Sequence, residues 1–565
     1  MRVRTLVVDA NGRLVSEMES TSSLAADSRE QVVQSLSVNH PHLWDGQRDP
    51  YLYKLLVELY ANNILKDRVE QPLGLRFFSI NANQGFLLNW RPFDLHGVCR
   101  HQDRLNKGWA ITKQDEREDF SLIKEMGATA IRVAHYQQSQ LWYDLADRNG
   151  MVLWAEIPFV GEALDNGSFF ENAKEQLREL IRQNYNHPSI MFWGVGNETR
   201  NDKIANRLIA QLTAIVREED PTRLSTYASD HESSDLRNWQ SDRIAFSKYF
   251  GWYYGGTRDL GPFLDQVHAK YPQARIGVSE YGAGASVRQH QENPAVGAPM
   301  TMVHFEEYQS AIHEHAWTTL RARPYIWCKF IWNMFDFAAD QRDEGDTSGR
   351  NDKGLVTYDR KTRKDAFFFY KANWNAEPVL YITSRRFTPR SETITEVKVY
   401  SNAEAVELFV NGKSQGLQRG SDRVFQWPRV MLRVGENSIK ARARFGARIM
   451  TDTCAWVLDA PRRDVTVSVT QVTRAPGLVA TGSVNFGDRI SGAWTFEKVS
   501  GALAHGTISL RDGMTANWTI TKRGQLHLSP GSSSGFHPTE AQIEAFTEKM
   551  LRGLSLSIQG QTPNK

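Results

Sequence analysis

The sequence predicts a central (β/α)8 barrel flanked by immunoglobulin-like β-sandwich domains, and three observations support this prediction. Between residues 82 and 382, short apolar runs that suit buried strands alternate with amphipathic helical stretches. On both sides of this region, apolar and polar residues alternate as they do in half-buried antiparallel strands. The length of 565 residues also exceeds what a single hydrophobic core usually holds, so several domains are expected.

The first predicted domain, residues 1–81, is a partial immunoglobulin-like sandwich. Asn11-Gly12 suits the two-residue turn of a hairpin, and the segment YLYKLLVELY has the pattern of a longer strand. The segment is short for a complete sandwich, so we expect strands to be missing at its start.

The second predicted domain, residues 82–382, is the barrel. A helix is expected to begin at Thr112, because a threonine cap is followed by Asp115 and Glu116 in the first turn. The link between the fifth and sixth strands is irregular. The eight strand candidates are PFDLHGV, TAIRVAH, MVLWAEI, IMFWGVG, RLSTYAS, RIAFSKY, RIGVSE and YIWCKFIW.

Three further segments follow the barrel. Residues 383–460 predict a second immunoglobulin-like sandwich, and residues 461–528 predict a small all-β segment of unknown role. Residues 529–565 contain the Gly/Ser linker SPGSSSG and then a helix that begins near Thr539, with Gln542 completing a capping box.

Composition and charge exclude several classes of partner. The chain has 68 basic and 65 acidic residues without a polybasic run, which argues against nucleic acid and anionic membranes as partners. No apolar run reaches membrane-spanning length, and the three cysteines fit neither a disulfide framework nor a zinc site. The N-terminus lacks the apolar segment of a signal peptide, which indicates a cytoplasmic protein if the chain is complete. A periplasmic or secreted protein is indicated if a signal has been lost.

Two glutamates close apolar, strand-like runs and are the main functional signal. Glu198 ends NHPSIMFWGVGNE, and Glu280 ends ARIGVSE. A carboxylate at the end of a buried strand is costly unless it is paired or used. Two of them on separate strands predict a facing pair, the arrangement that cleaves glycosidic bonds with an acid/base and a nucleophile.

Other polar and aromatic side chains lie where the predicted barrel strands end, the edge at which barrel enzymes place their reactive groups. Together they would form a pocket suited to a polyhydroxylated ligand. In strand order they are Arg100 and His101, Arg132 and His135, Glu156, Asn197 and Glu198, Tyr249, Glu280, and Trp332.

Three segments, AIRVAHYQQSQLWYDLADRNGMVLW, NHPSIMFWGVGNE and VSEYG, resemble the signature regions of glycoside hydrolase family 2. The resemblance covers about residues 1–459, and FSKYFGWYYG and WNMFDF are most similar to the bacterial β-galactosidase branch. Members of that family normally begin with a jelly-roll domain that contributes to the sugar pocket, and this domain is expected to be missing here.

The resemblance implies a retaining mechanism in which Glu280 is the nucleophile and Glu198 the acid/base, with their carboxyl groups about 5–5.5 Å apart. It places Arg132 and Tyr249 beside Glu280, and it assigns Asn197 to the sugar 2-hydroxyl. His101, His135 and Trp332 would bind the remaining hydroxyls and the sugar face.

The sugar is predicted to be a terminal β-D-galactoside, with a β-glucuronide as the alternative. Asn351 and Lys353 match the Asn-x-Lys pair with which the glucuronidase branch binds a carboxylate. A carbohydrate-binding protein that has lost catalysis is a further alternative. No cofactor is expected, and no metal, because the stretch AEIPFVGEALD lacks the histidine of the family's magnesium site. Homo-oligomerisation stays open.

Overall fold

The computed structural model describes residues 1–25, 27–292, 294 and 299–459, the backbone of six strands between 465 and 530, and residue 549. The described chain forms two compact units. The first comprises Met1–Tyr249, Arg258–Tyr281 and Ala316–Met334. The second comprises Phe250–Thr257 and the described residues of Gly282–His315 and from Phe335 onward.

The first unit begins with a four-stranded antiparallel sheet in the order β2-β1-β3-β4. The indole of Trp44 is buried and donates a hydrogen bond to the Asp147 carbonyl at 2.8 Å, which ties this part of the chain to the barrel. A small sheet, β5-β6-β7, comes next. The strands are β1 (Arg2–Val8), β2 (Leu14–Thr21), β3 (Tyr53–Ala61), β4 (Ile64–Leu73), β5 (Phe78–Asn81), β6 (Gly85–Leu88) and β7 (Arg91–Pro92).

Eight parallel strands then close into a barrel, and all eight overlap the strands predicted from the sequence, which confirms the predicted fold class. Parallel barrel strands are covered on both faces, so they appear in the sequence as continuous apolar runs. The strands are β8 (His96–Cys99), β9 (Ala130–Val133), β10 (Val152–Glu156), β11 (Ile190–Asn197), β12 (Leu224–Ser229), β13 (Arg243–Ser247), β14 (Ile276–Tyr281) and β15 (Lys329–Ile331).

Some of the helices between the strands have a side-chain cap at the N-terminus or a glycine in the left-handed region at the C-terminus. Thr112 caps α1 as predicted, its side chain also forms a capping box with Asp115, and Gly127 ends the helix with a φ of 94°. A short 3₁₀ helix, Leu236–Trp239, lies in the irregular link between β12 and β13. The helices are α1 (Lys113–Met126), α2 (Gln140–Asn149), α3 (Gly167–Asn184), α4 (Asp202–Glu219), α5 (Leu260–Lys270) and α6 (Glu306–Arg321, in this unit from Ala316).

The second unit contains the second predicted sandwich. A three-stranded sheet, β18-β19-β22, and a four-stranded sheet, β21-β20-β23-β24, share a core that includes Leu408, Ile439 and Trp456. Ahead of the sandwich are β16 (Phe337–Ala338), β17 (Arg350–Asn351) and α7 (Asp365–Trp374). The sandwich strands are β18 (Leu380–Ile382), β19 (Ile394–Ser401), β20 (Val406–Val410), β21 (Lys413–Gln418), β22 (Val424–Met431), β23 (Gly435–Phe445) and β24 (Arg448–Leu458).

Beyond residue 460 the described strands pair in chain order as a six-stranded antiparallel sheet. The helix predicted from Thr539 and most of the predicted linker lie outside the described residues. Of the described helices, none combines the length and the apolar character that crossing a bilayer requires. The six strands are β25 (Val465–Thr473), β26 (Val479–Phe486), β27 (Ile490–Glu497), β28 (Ala504–Leu510), β29 (Thr515–Ile520) and β30 (Leu526–Pro530).

Candidate active site

Glu280 is the penultimate residue of β14, and its side chain is held by Arg132 of β9 and by Tyr249, which lies two residues beyond the end of β13. One carboxylate oxygen accepts a hydrogen bond from Arg132 Nη1 at 2.7 Å, and the other accepts one from Tyr249 Oη at 2.7 Å. The residue is only 4% exposed. Hydrogen bonds to a charged group are short and strong, so both oxygens of this carboxylate are fixed in place.

Arg132, in β9, is fully buried and connects three other side chains of the site. It donates two hydrogen bonds of 3.0 Å to Glu156 and one of 2.7 Å to Asn197 Oδ1. Burial by itself lowers the pKa of Arg132, but the charges of Glu156 and Glu280 outweigh it and hold the pKa well above its ordinary value. Arg132 is therefore a permanent cation that faces Glu280.

Glu156, the last residue of β10, acts through its neighbours. Its carboxylate binds Arg132 and also lies 2.6 Å from His135 Nδ1. Burial raises the pKa of Glu156, but the charge of Arg132 and the hydrogen bond with His135 have the larger combined effect, so its pKa is lowered. Glu156 thus orients an arginine and a histidine of the site.

Glu198 follows β11 directly and differs from Glu280 in its electrostatic environment. Burial raises the pKa of Glu198 to about 8, and the negative charges of Glu280 and Asp230 contribute to the rise. A hydrogen bond with Ser247 and the charge of Arg132 act in the opposite direction but are weaker. Glu198 therefore carries a proton at neutral pH.

Aromatic rings form one side of the site. His135 stacks on Trp332 with a centroid distance of 4.9 Å, and His101 meets both rings edge-on at 5.4 and 5.3 Å. Burial, followed by the positive neighbours His135, Arg132 and Arg100, lowers the pKa of His101 well below its ordinary value. His101 is therefore a neutral hydrogen-bonding group.

The structure brings most of the predicted site residues into one cluster in the first unit, and their roles stay predictions. The members are His101, Arg132, His135, Asn197, Glu198, Tyr249, Glu280 and Trp332.

Asn351 and Lys353 belong to the second unit. There Lys353 Nζ donates to Tyr253 Oη at 2.6 Å and lies 3.8 Å from Glu344 Oε1. Asn351 Oδ1 accepts from the Lys353 amide at 3.1 Å. The side chain of Asn351 therefore holds the loop in which Lys353 lies.

Sequence reasoning gave no role to several residues beside Glu198. They are Arg200, Asp230 and Lys248, which are joined to one another and to the backbone of Glu198 by hydrogen bonds. A usable signal existed for Asp230, because it follows the fifth barrel strand directly, as Glu198 follows the fourth. The strand-end rule that selected the other residues applies equally to Asp230.

One group of three potential metal ligands occurs in the described part of the chain, and it contains none of the predicted site residues. It comprises Asp144, Asp147 and His187. Asp147 already accepts hydrogen bonds from the Ser189 amide and lies 2.6 Å from His187 Nδ1. These contacts explain the cluster as a structural hydrogen-bond network.

Family comparisons agree with this geometry. The family described as "Glycosyl hydrolases family 2, TIM barrel domain" matches residues 79–377, which include the whole barrel. The chain belongs to glycoside hydrolase family 2. A second profile of family 2 matches residues 1–76, and a domain of unknown function matches residues 392–449. The predicted resemblance to family 2 is thus confirmed.

Individual relatives within family 2 carry two different names. The chain is 43% identical to a β-glucuronidase of Bacteroides fragilis over 80% of its own length and 66% of that protein. It is 26% identical to a β-galactosidase of Bacteroides ovatus over 73% of its own length and 54% of that protein. The chain therefore spans no more than about two thirds of these relatives.

Two solved structures of β-glucuronidases are also similar to this chain. A crystal structure of an FMN-binding β-glucuronidase from Faecalibacterium prausnitzii matches with a TM-score of 0.75 and 38% identity, covering 81% of this chain and 69% of that one. A Bacteroides uniformis β-glucuronidase 2, covalently bound to cyclophellitol-6-carboxylate aziridine, matches with a TM-score of 0.76 and 28% identity, covering 92% and 67%.

Proposed function

We propose that this chain is a retaining exo-glycoside hydrolase that removes terminal β-linked sugars through a covalent glycosyl-enzyme. The contrast between its two glutamates supports this proposal. Glu280 is a carboxylate with both oxygens held by Arg132 and Tyr249, as a nucleophile requires. Glu198 keeps its proton at neutral pH, as a general acid requires.

In the proposed first step Glu280 attacks the anomeric carbon while Glu198 gives its proton to the departing glycosidic oxygen. The attack converts the Glu280 carboxylate into a neutral ester. Because the charge of Glu280 is one cause of the raised pKa of Glu198, the pKa of Glu198 falls at this point. Glu198 is then suited to take a proton from the water that hydrolyses the ester.

The other residues would bind and orient the sugar. Asn197, held by Arg132 at 2.7 Å, is proposed to bind the 2-hydroxyl, where hydrogen bonding strengthens in the transition state. His101, which is neutral, and His135 would bind further hydroxyls, and Trp332 would contact the face of the sugar.

We propose a β-glucuronide as the preferred substrate and a β-galactoside as the second candidate. The Asn351-x-Lys353 pattern and the names of the relatives at 43% and 38% identity favour the glucuronide. The segment WNMFDF and the Bacteroides ovatus β-galactosidase favour the galactoside. Both carboxylates are present, which argues against a binding protein that has lost catalysis.

A panel of nitrophenyl β-glycosides tests the reaction and the sugar together. We expect nitrophenol release from the glucuronide above that from the galactoside, glucoside, mannoside and fucoside. Glu280→Ala should abolish the release, whereas Glu175→Ala, on an exposed face of α3, should leave it unchanged. Proton NMR of the first product should show the β anomer. An α anomer, or activity that survives in Glu280→Ala, contradicts the mechanism.

Covalent labelling tests the nucleophile and the sugar separately from turnover. Cyclophellitol-6-carboxylate aziridine should add one label, located on Glu280 by peptide mass spectrometry. Lys353→Met should lower kcat/KM for the glucuronide at least about tenfold, because a hydrogen bond to a charged group is worth about 1.5–3 kcal/mol. An equal decrease in kcat/KM for the glucuronide and the galactoside would show that Lys353 does not bind the sugar carboxylate.

A further inference from the structure

A second set of charged residues lies beside Glu198, and the proposed reaction does not use it directly. Arg200 follows Glu198 by two positions, Asp230 follows β12, and Lys248 follows β13. The three residues therefore come from the ends of three neighbouring barrel strands.

Hydrogen bonds join this set to the backbone of Glu198. Arg200 forms a bidentate ion pair with Asp230, with N···O distances of 3.0 and 2.6 Å. It also donates a hydrogen bond to the Glu198 carbonyl oxygen at 2.8 Å. Lys248 Nζ donates to the carbonyl oxygens of Asp230 and His231 at 2.8 and 3.1 Å. A bidentate ion pair fixes the orientation of both side chains more precisely than a single hydrogen bond does.

The same network reaches Glu280. The backbone amide of Lys248 donates to the Glu280 carbonyl oxygen at 2.9 Å. A continuous path of hydrogen bonds therefore runs from the Glu198 backbone through Arg200, Asp230 and Lys248 to the Glu280 backbone.

The backbone of Glu198 needs such support. Its φ is 46°, in the left-handed region that residues other than glycine rarely adopt. The Glu198 amide donates to the Ala228 carbonyl at 2.9 Å, and the Glu198 carbonyl is held by Arg200. Both peptide groups around this unfavourable conformation are thus bonded, as a residue held under local strain requires.

We propose that Asp230 is a positioning residue for the acid/base Glu198, acting through Arg200 on its backbone and through its own negative charge on its carboxyl group. The inference deepens the proposed function and rests on it. Asp230 does not contact the substrate in this scheme. It fixes the direction of the Glu198 side chain and favours the protonated form that the first step consumes.

The charges around Glu198 support this assignment. After burial and Glu280, Asp230 is the next cause of the raised pKa of Glu198. Arg132 acts in the opposite direction. Other titratable groups near Glu198 or Asp230 are Arg200, Lys248, Tyr227, His231 at 3.4 Å from Asp230, and Glu232 beside Lys248.

The state of Asp230 itself is also set by its neighbours. Burial raises the pKa of Asp230, but the hydrogen bond from Arg200 and the charge of His231 outweigh it and hold the pKa below its ordinary value. Burial lowers the pKa of His231. Asp230 is therefore an anion throughout the pH range in which Glu198 titrates.

The test compares pH profiles of kcat/KM for two variants that change the charge in opposite directions. Asp230→Asn should move the basic limb at least about 0.5 pH unit toward lower pH, and Arg200→Gln should move it toward higher pH. Asp230→Glu, which keeps the charge, should stay near the wild type. Asp265→Asn should leave the basic limb of the kcat/KM profile in place, although it breaks a similar bidentate ion pair with Arg323 at 2.8 and 2.6 Å.

A basic limb that stays in place in both variants, or moves in the same direction in both, overturns the proposal. A titration without substrate separates this result from failure of the proposed function. In protein labelled with ¹³C at glutamate carboxyl carbons, the resonance absent from Glu198→Gln reports Glu198 directly. If the wild type cleaves no glycoside, the proposed function fails, and the shift of this resonance in Asp230→Asn still decides the role of the Asp230 charge.

Discussion

Replacing Glu198 with Gln should make the folded protein more stable at neutral pH and change little at pH 5. The reason is the raised pKa of Glu198, about 8 in the folded chain against an ordinary value of 4.5. The folded state therefore binds the proton of this carboxyl group more tightly than the unfolded state does. Stability that depends on this proton is complete below pH 4.5 and is lost as the pH rises from 4.5 to 8.

The size of the effect follows from the two pKa values. With a pKa of 4.5 in the unfolded chain and about 8 in the folded chain, proton linkage lowers the free energy of unfolding of the wild type by about 2–3 kcal/mol between pH 5 and pH 7. A glutamine of the same shape has no proton to lose, so its stability lacks this dependence. The hydrogen bond that the amide keeps or loses with Ser247 contributes equally at both pH values.

Urea denaturation at pH 5 and pH 7, followed by tryptophan fluorescence, measures the difference. Among the buried tryptophans of the barrel that report its unfolding are Trp142, Trp154, Trp193 and Trp327. Glu218→Gln, on an exposed face of α4, is the matched control and should change stability equally at both pH values. A gain for Glu198→Gln that is absent, or is the same at pH 5 and pH 7, would refute the electrostatic reasoning.

Three further substitutions test the packing. Arg132→Met leaves two buried carboxylates without their cation and should lower the free energy of unfolding by about 3–5 kcal/mol in urea denaturation at pH 7. A decrease below about 1 kcal/mol would contradict the network. Gly97→Ala puts a methyl group 1.7 Å from the Ala130 carbonyl oxygen, so circular dichroism should show loss of folded protein, whereas Gly167→Ala, which meets nothing within 4 Å, should fold normally. Trp456→Ala removes the fully buried indole of the second sandwich and should cost about 3–5 kcal/mol by the same denaturation assay.

The barrel was predictable because its strands satisfy one strong physical condition. A parallel strand covered on both faces must be apolar at nearly every position, and every residue of β11 is buried. The beginning of α1 was equally clear, since the side chains of Thr112 and Asp115 supply acceptors for backbone N–H groups at the free helix end. Both signals are local in the sequence, so they do not depend on knowing the tertiary structure.

The partners within the site were less predictable because they depend on strand register and loop conformation. The sequence placed Arg132 and Glu156 at neighbouring strand ends, but it did not show that Glu156 would bind both Arg132 and His135. Asp230 was missed for a related reason. Its link to Glu198 runs through the side chain of Arg200 and a backbone carbonyl, and no spacing rule describes such a path.

The raised pKa of Glu198 is connected with the sharing of one arginine by two other acidic residues. Arg132 is paired with Glu156 by two hydrogen bonds and with Glu280 by one, so a single cation serves two acidic side chains. Glu280 contacts the cation directly through the 2.7 Å hydrogen bond from Arg132. At Glu198, partial burial and the negative charges of Glu280 and Asp230 together favour the protonated form. Glu156 therefore favours the protonated form of Glu198 indirectly. Its two hydrogen bonds with Arg132 use part of the positive charge that would otherwise act on Glu280 alone.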